Sequence, residues 1–584
     1  MTIMKMYKIK ALAPAATLLL SMGLTSCMAD LDDGNIDPNA TGSVDVTGFY
    51  TKCYASLIME GLDGNADFSI DDNGKSTLLR NVFNFSELST DEAICWWSDG
   101  DITEVGFNRT VPGTPILKFL YYRLVSNISY CNSYIQISET QGDKTRLAEV
   151  RFIRAYNYFL MLDYFGDPAF TDKITTETPL QAHAHNGKYE AGKNYSRAEL
   201  LAMGREFLFN WIKGELEAIQ NDLLPAQPET DSDPNYGRVD QGTCWLLLSR
   251  LYLNAGTYLN NDGQKNPYWK EAKDYAEKVI NSNYALFDDT KISAAAKAAG
   301  YQPYDLLFMG DNGSNGASCE ALLPLLQDGK KTKGWGGSLF FVAAMWNPSM
   351  KTVTDRDAGT TGNNWSGMRC RPQLIEKFVD NPSVFLNKTT KEIREMGIDD
   401  RALFWGQGYI DDVGTWRERT VELKDNSSFA YGLVTTKWNN NYSTGQDPHD
   451  SYDVDTDFFL FRVAEAYLNA AEALMHLNGE GDGTAKNYLN ALRNRAHAGE
   501  KNSFTLNDVL DERAREFYFE GQRRTDLIRF NQYGGASTYM WDFKAGAEKG
   551  ATFEKYRNVY PIPTTEVMAN RNLTQIDGYT QIDN

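Results

Sequence analysis

The residues of this chain best placed to do chemistry are indoles. Trp96 and Trp97 stand side by side in STDEAICWWSDGD, between acidic residues and glycine. Neighbouring residues on a regular element point in different directions, so at most one of the pair belongs in a core and the other faces solvent or a ligand. Trp335, in GWGGS, and Trp365, in NNWSG, are flanked by Gly, Asn and Ser and lack apolar packing neighbours, which fits rings laid on a surface. Flat rings in polar loops are stacking surfaces, and stacking breaks no bond. Signatures of bond-breaking chemistry are absent: there is no H-E-x-x-H and no G-x-S-x-G, and Gly74-Lys75-Ser76 lacks the upstream glycine of a P-loop because position 69 is Ser. His183 and His185 lie in QAHAHNG with no third ligand nearby in sequence, so no metal site is assigned there. The run from Asp311 to Gly316 (DNGSNG) has a calcium-loop composition, but its third position is Gly313 and its twelfth Leu322, so the EF-hand pattern fails and only a structural calcium site of another kind is left open. A glycosidase needs two carboxylates brought together by the fold, and nothing among 78 acidic residues singles out a pair.

Composition narrows the partners. The formal net charge of -20 leaves no basic surplus to displace counterions from nucleic acid, and it disfavours adsorption on anionic lipid. Seven cysteines (Cys27, Cys53, Cys95, Cys131, Cys244, Cys319 and Cys370) show no metal-like spacing and read mostly as free and buried. Lys5, Lys8 and Lys10 precede a short apolar run, Ala11 to Leu24, too short to span a bilayer. Leu24-Thr25-Ser26-Cys27 then matches a bacterial lipobox, with Cys27 the acyl acceptor. Residues 1–27 therefore read as a lipoprotein signal ending in a lipidated cysteine, and 28–44, rich in Asp, Gly, Asn and Pro, as a tether.

The elements that must position the indoles are helices. In FFLFRVAEAYLNAAEALMHL, Leu460, Val463, Tyr467, Ala471 and Leu474 recur at helical spacing, and Gly479 and Gly481 stop the helix. Alanines 464, 466, 470, 471 and 473 make it thin, so a partner can approach closely. Thr484 is the expected N-cap of that partner. The same small-plus-large pattern gives about four helix pairs, within 45–138, 146–221, 240–282 and 458–497, in one domain spanning 45–584. Asp511/Arg515 and Glu520/Arg524 are spaced to bridge along one helix surface. The aromatic face of 147–170 reads as core. Loop-rich insertions occupy 61–112, with Leu78–Phe85 as an extended run, and 287–456; loops held on a rigid scaffold are where binding is expected.

FRVAEAYLNAAEAL, DERAREFYFEGQRRTDLIRF, AEVRFIRAYNYFLMLDYFGDPAF and the tail KYRNVYPIPTTEVMANRNLTQIDGY resemble the SusD/RagB family of outer-membrane glycan-binding lipoproteins, close to its starch-binding type. The resemblance runs through nearly the whole chain. It implies a mainly α fold of tetratricopeptide-like hairpin repeats with a large loop-rich insertion. It implies no catalysis and no cofactor, but capture of a polysaccharide or oligosaccharide and its delivery to a SusC-like TonB-dependent transporter, from an outer-membrane anchor at Cys27. Asp30, Asp32 and Asp33 resemble the surface-export signal of related lipoproteins.

Family members most like this chain place glycan-binding side chains at positions matching Arg80, Trp97 (with Trp96 beside it), Trp335 and Trp365. Ser98, Asp99 and Gly100 stand where those members carry a polar amide, in a loop one residue shorter, and Asp99 is included in the candidate site. Position 335 is Trp where those members have a smaller aromatic. A row of three tryptophans suits a flatter or longer platform, and so a β-linked plant glycan such as xyloglucan or xylan, with starch as the rival. A surface glycoside hydrolase is the alternative function.

Overall fold

The structure, a computed structural model, describes residues 45–581 except 69, 71, 98, 99 and 139–141. Cys27, the segment before it, the 28–44 tether and Asp99 lie outside the described residues.

Helix α1 (Val46–Ala55) opens on Asp45, whose carboxylate accepts the Gly48 N–H. Helix α2 is Leu78–Ser86, the stretch expected to be extended. All nine of its residues are buried, and its polar residues Arg80, Asn81 and Asn84 fall at helical spacing between Leu78, Leu79, Val82 and Phe83, a helical period rather than the alternation of a strand. Then come α3 (Pro115–Ser138), α4 (Lys144–Phe165), α5 (Arg197–Ile219), α6 (Gln241–Leu253) and α7 (Trp269–Ile280). After the long insertion follow α8 (Val463–Asn478), α9 (Gly483–Arg495), α10 (Leu506–Phe517) and α11 (Arg523–Arg529). Four pairs form, α1 on α3, α4 on α5, α6 on α7 and α8 on α9, and they stack through α3–α4, α5–α6 and α7–α8 contacts. The result is a mainly helical, tetratricopeptide-like stack.

Small side chains set the closest contact. Ala464, Ala466, Ala470, Ala471 and Ala473 of α8 are fully buried, as are Ala272 and Ala276 of the facing α7. Phe152, Tyr156, Phe159 and Tyr164 of α4 are core. Gly166 (φ 70°) and Gly479 (φ 93°) end α4 and α8 in a conformation that L side chains resist. The cap of α9 is Asp482 rather than Thr484: its carboxylate takes the Ala485 N–H at 2.8 Å, so the helix starts before the threonine can cap it.

Four short strands matter for the site: β1 (Ala93–Cys95), β2 (Ala321–Leu325), β3 (Met368–Cys370) and β4 (Phe458–Arg462). β2 pairs antiparallel with β4 and closes the neck of the insertion; β1 pairs antiparallel with β3.

Of the charges expected on a helix surface, Asp511 stays partly exposed, while Arg515, Glu520 and Arg524 turn into the seam between insertion and repeats. Asp511 pairs with Lys377 at 2.8 Å, and Arg515 with Glu512 at 2.7 Å. Phe519 (φ 65°) and Gly521 (φ 83°) break the chain between α10 and α11, so Glu520 and Arg524 share no helix. Glu520 accepts from Lys437 at 2.7 Å and Arg462 at 2.8 Å, while Arg524 reaches Asp163 of α4 at 2.9 Å. Arg462 also pairs with Glu320 at 2.6 Å and Glu516 at 2.9 Å, and Arg495 with the same two carboxylates at 2.9 and 2.5 Å. Arg401, from the insertion, bonds Asp399, Glu512 and Glu516 at 2.8, 2.6 and 3.2 Å. Arg401, Arg462, Arg495, Glu320, Glu512, Glu516 and Glu520 are each met by two or more opposite charges, the condition under which such buried groups are tolerated.

The remaining polar candidates have structural partners. His183 Nδ1 lies 2.7 Å from Asp167 in the interior, and His185 stacks on Phe207. Asp311 accepts the Ser443 N–H at 2.9 Å. Among the described residues no group of three or more His, Cys, Asp or Glu is arranged to hold a metal. The six described cysteines are free, and all but Cys319 are buried. No described helix is long and apolar enough to cross a membrane.

Candidate functional site

The site is built around a six-residue helix, Ser338–Ala343. A helix leaves its last carbonyls without internal partners. Here a loop supplies them: Trp365 N–H donates to Ala343 O at 2.6 Å, and Gly367 and Met368 N–H donate to Ala344 O at 2.9 and 2.8 Å. The segment carrying Trp365 is therefore strapped across the C-terminal end of this helix, while Trp335 leads into its N-terminal end.

The β1–β3 ribbon brings in the tryptophan pair. Its register sets Cys95 opposite Met368, and the next residue continues the ladder, with Trp96 N–H donating to Gly367 O at 3.3 Å. The Trp96 indole N–H donates to Ser366 O, and that of Trp97 to Trp365 O at 3.3 Å. Both rings are half-buried, so neither is a core residue nor fully exposed. A side chain at Gly367 would collide with the Trp97 ring.

Trp335 is 36% exposed and is held by its backbone. Glu60, itself fully buried, accepts the Trp335 N–H at 2.6 Å. Burial pushes the Glu60 carboxyl above its usual range, against the opposing pull of hydrogen bonds from Trp335 and Gly336. The Trp335 ring lies over Gly64, where a Cβ would come within 3.2 Å of Nε1, and its backbone lies against Gly74.

Trp335 and Trp365 meet with ring centroids 6.5 Å apart and planes inclined by 34°. A third ring, Tyr452, stands perpendicular to Trp335 at 89° and 5.9 Å and is 44% exposed. Asn363 ties the group together, accepting from Trp365 Nε1 at 3.2 Å and donating to Tyr452 O at 2.7 Å. The platform is thus angled, not the flatter row expected from three tryptophans. Its rings come from three separate segments of the chain.

The structure gathers Trp96, Trp97, Trp335 and Trp365, and it adds Tyr452, Glu60 and Asn363. Tyr452 carries the signal that pointed to Trp335 and Trp365, an aromatic set in a polar run (HDSYDVD). Arg80 takes a different place from the one expected. Its side chain is 5% exposed, pairs with Asp72 at 3.2 Å and lies 4.9 Å from the Phe340 ring centre. It sits against Gly74, beneath Trp335, where it steadies the platform from below.

A model of the SusD family matches residues 346–579. The starch-binding protein SusD of Bacteroides thetaiotaomicron is 35% identical over 613 aligned residues, covering 99% of this chain and 100% of that protein. Among solved structures, a SusD superfamily protein from Parabacteroides distasonis is similar at TM-score 0.61 and 16% identity, over 91% of this chain and 98% of its own. Surface glycan-binding protein A from Bacteroides thetaiotaomicron, solved with laminarihexaose, is similar at TM-score 0.60 and 17% identity, over 91% and 98%. At such identities the two structures speak for the fold alone. The full-length relationship to the starch-binding protein goes further: this chain belongs to the SusD family.

Proposed function

We propose that this protein captures a glycan at the cell surface and passes it to a TonB-dependent outer-membrane transporter, without breaking a glycosidic bond. The observation that carries this reading is the cluster of exposed Trp335 and Tyr452 around half-buried Trp365, pinned by backbone hydrogen bonds. Pyranose rings have apolar C–H faces and polar rims, so an indole covers the face while hydroxyls stay available for hydrogen bonds. Each covered ring hides about 40 Å², worth about 1 kcal/mol. Three rings and a few modest hydrogen bonds give roughly micromolar to millimolar affinity. That range suits capture followed by release.

In this reading Trp335 and Trp365 stack on successive sugars, Trp96 and Trp97 extend the contact, Asp99 accepts from a hydroxyl, and Arg80 positions Trp335. The angle between the rings favours a chain that coils. Successive faces of an α-1,4-glucan turn relative to one another, whereas a β-1,4-linked ribbon stays flat. An α-glucan such as starch is therefore the preferred ligand, in keeping with the 35% identical starch-binding relative, ahead of xyloglucan or xylan. Acylation of Cys27 anchors the chain to the outer membrane, and the face of the helical stack docks on the transporter.

The test is affinity electrophoresis of the purified protein in gels containing amylopectin, xyloglucan, xylan or levan, with a reducing-end assay on the same mixtures. Retardation by amylopectin with no new reducing ends is the expected result. Release of sugar would replace this reading with a glycoside hydrolase, and retardation by xyloglucan alone would reverse the order of ligands.

A further inference from the structure

We infer that Trp416 is an additional glycan contact, outside the Trp335–Trp365 cluster, that engages only long chains; this rests on the glycan-binding reading above. Of the chain's twelve tryptophans, all described, only Trp335 and Trp416 are exposed, at 36% and 55%. Trp416 lies on a two-stranded hairpin, paired directly across from Ile410, which is 53% exposed. Cross-strand partners share a face, so both side chains point outward. On the opposite face Tyr409 is buried against Phe429.

The ring is mounted in the manner of the site indoles. Gly408 lies two residues before Ile410 and so shares its face. A Cβ at 408 would collide with Arg417 O and stand 2.6 Å from Trp416 Cζ2, so glycine leaves room both for the facing strand and for the indole to lie down on it. Trp97 over Gly367 and Trp335 over Gly64 are mounted the same way. Among the described glycines, only these three have indole ring atoms among the nearest neighbours a Cβ would meet. One face of the Trp416 ring is thus supported and the other is left to solvent.

The hairpin is stiff without being buried. Asp411 accepts the N–H groups of Val413 and Thr415 at 3.1 and 2.8 Å, and Arg417 Nε at 2.7 Å. Arg417 pairs across from Tyr409, so this ion pair braces the hairpin from the face opposite the ring. The hairpin is also joined to the candidate site by a chain of hydrogen bonds. Ile410 N–H donates to Ser349 Oγ at 3.1 Å, Ser349 N–H to Asn347 Oδ1 at 2.9 Å, and Asn347 Nδ2 to Ser366 Oγ at 3.1 Å. Ser366 follows Trp365 and accepts the Trp96 indole N–H. A glycan running past Trp96 toward this hairpin would meet a second supported indole.

The test compares wild type, Trp416→Ala, Gly408→Val and Trp365→Ala, each checked for an unchanged melting temperature. Binding of maltotriose and amylopectin is measured, with xyloglucan heptasaccharide and xyloglucan polymer in parallel. Trp416→Ala is expected to weaken polymer binding about three- to tenfold, the loss of one stacked ring, and to leave the short oligosaccharide unchanged. Gly408→Val, which keeps the indole but unseats it, should do the same, while Trp365→Ala should weaken both. Polymer affinity unchanged in Trp416→Ala but weakened in Trp365→Ala would overturn this inference and leave the glycan-binding reading intact. Equal loss for short and long ligands in Trp416→Ala would also overturn it. If Trp365→Ala weakens neither, or wild type binds none of the four, the reading itself fails and the inference with it.

Discussion

The seam beneath the insertion and the platform on its surface handle polar and aromatic groups in opposite ways. In the seam, Arg401, Arg462, Arg495, Glu320, Glu512 and Glu516 are each at most 3% exposed. Removed from water, every charge there must be met from several sides at once. On the platform, Trp335 and Tyr452 keep a third or more of their surface in water, and their loops are fixed by backbone hydrogen bonds rather than by the rings. The seam locks the insertion to the helical stack and tolerates little change. The platform can lose a ring and keep its shape. Stability and recognition are therefore separable in this molecule, and substitutions in the two regions should be distinguishable.

The largest effect is expected from Arg462→Met. It leaves Glu320, Glu516 and Glu520 facing one another without the shared guanidinium, at a cost on the order of 3–5 kcal/mol. Denaturant unfolding should report that loss, while glycan affinity of the protein that remains folded stays at the wild-type value. A large affinity change would blur the separation.

Acid should act on the same region. Burial alone would raise the Glu512 carboxyl, but Arg401, Arg515 and Arg493 outweigh it and hold the group at about 2, against an ordinary 4.5. Because the folded value lies below the unfolded one, this stabilisation is fully present above pH 4.5 and drains away as pH falls toward 2. The difference corresponds to about 3 kcal/mol. Unfolding midpoints measured from pH 6 down to pH 3 should fall, and Glu512→Gln should be less stable at pH 6 with a flatter pH dependence.

Smaller effects belong to the platform. Trp365→Ala should weaken glycan binding about five- to tenfold, the loss of about 1 kcal/mol of stacking, with the melting temperature barely moved. Glu60→Ala removes the acceptor that holds the Trp335 N–H and should weaken binding about two- to fivefold through a looser ring, an effect of up to about 1 kcal/mol. Glu60→Gln keeps an acceptor oxygen and should restore most of that affinity in the same titration.

The helical stack was legible because its period survives in the sequence: alanines on one face of α8 and glycines at the ends of α4 and α8 carry their meaning locally. α2 carries the same kind of signal, Arg80, Asn81 and Asn84 at helical spacing among apolar residues, and the expectation of an extended run over Leu78–Phe85 overlooked it. The seam is not legible in the sequence. Acidic and basic residues four apart look the same whether they bridge along an exposed helix or reach across a core, and only the positive-φ residues Phe519 and Gly521 separate Glu520 from Arg524. In the site, Gly, Asn and Ser flanks correctly marked Trp335 and Trp365 as exposed or half-exposed rings. The place of Arg80 beneath them depends on Gly74 and Trp335 meeting across more than 250 residues of chain, which no local pattern encodes.

Calorimetric titration of wild type and of Trp335→Ala/Trp365→Ala with maltohexaose and with xyloglucan oligosaccharide, alongside melting curves of both proteins, tests the separation most directly. Saturable binding of maltohexaose by wild type, lost in the double variant at an unchanged melting temperature, is the predicted result. Equal affinity of the two proteins for the same sugar would contradict it.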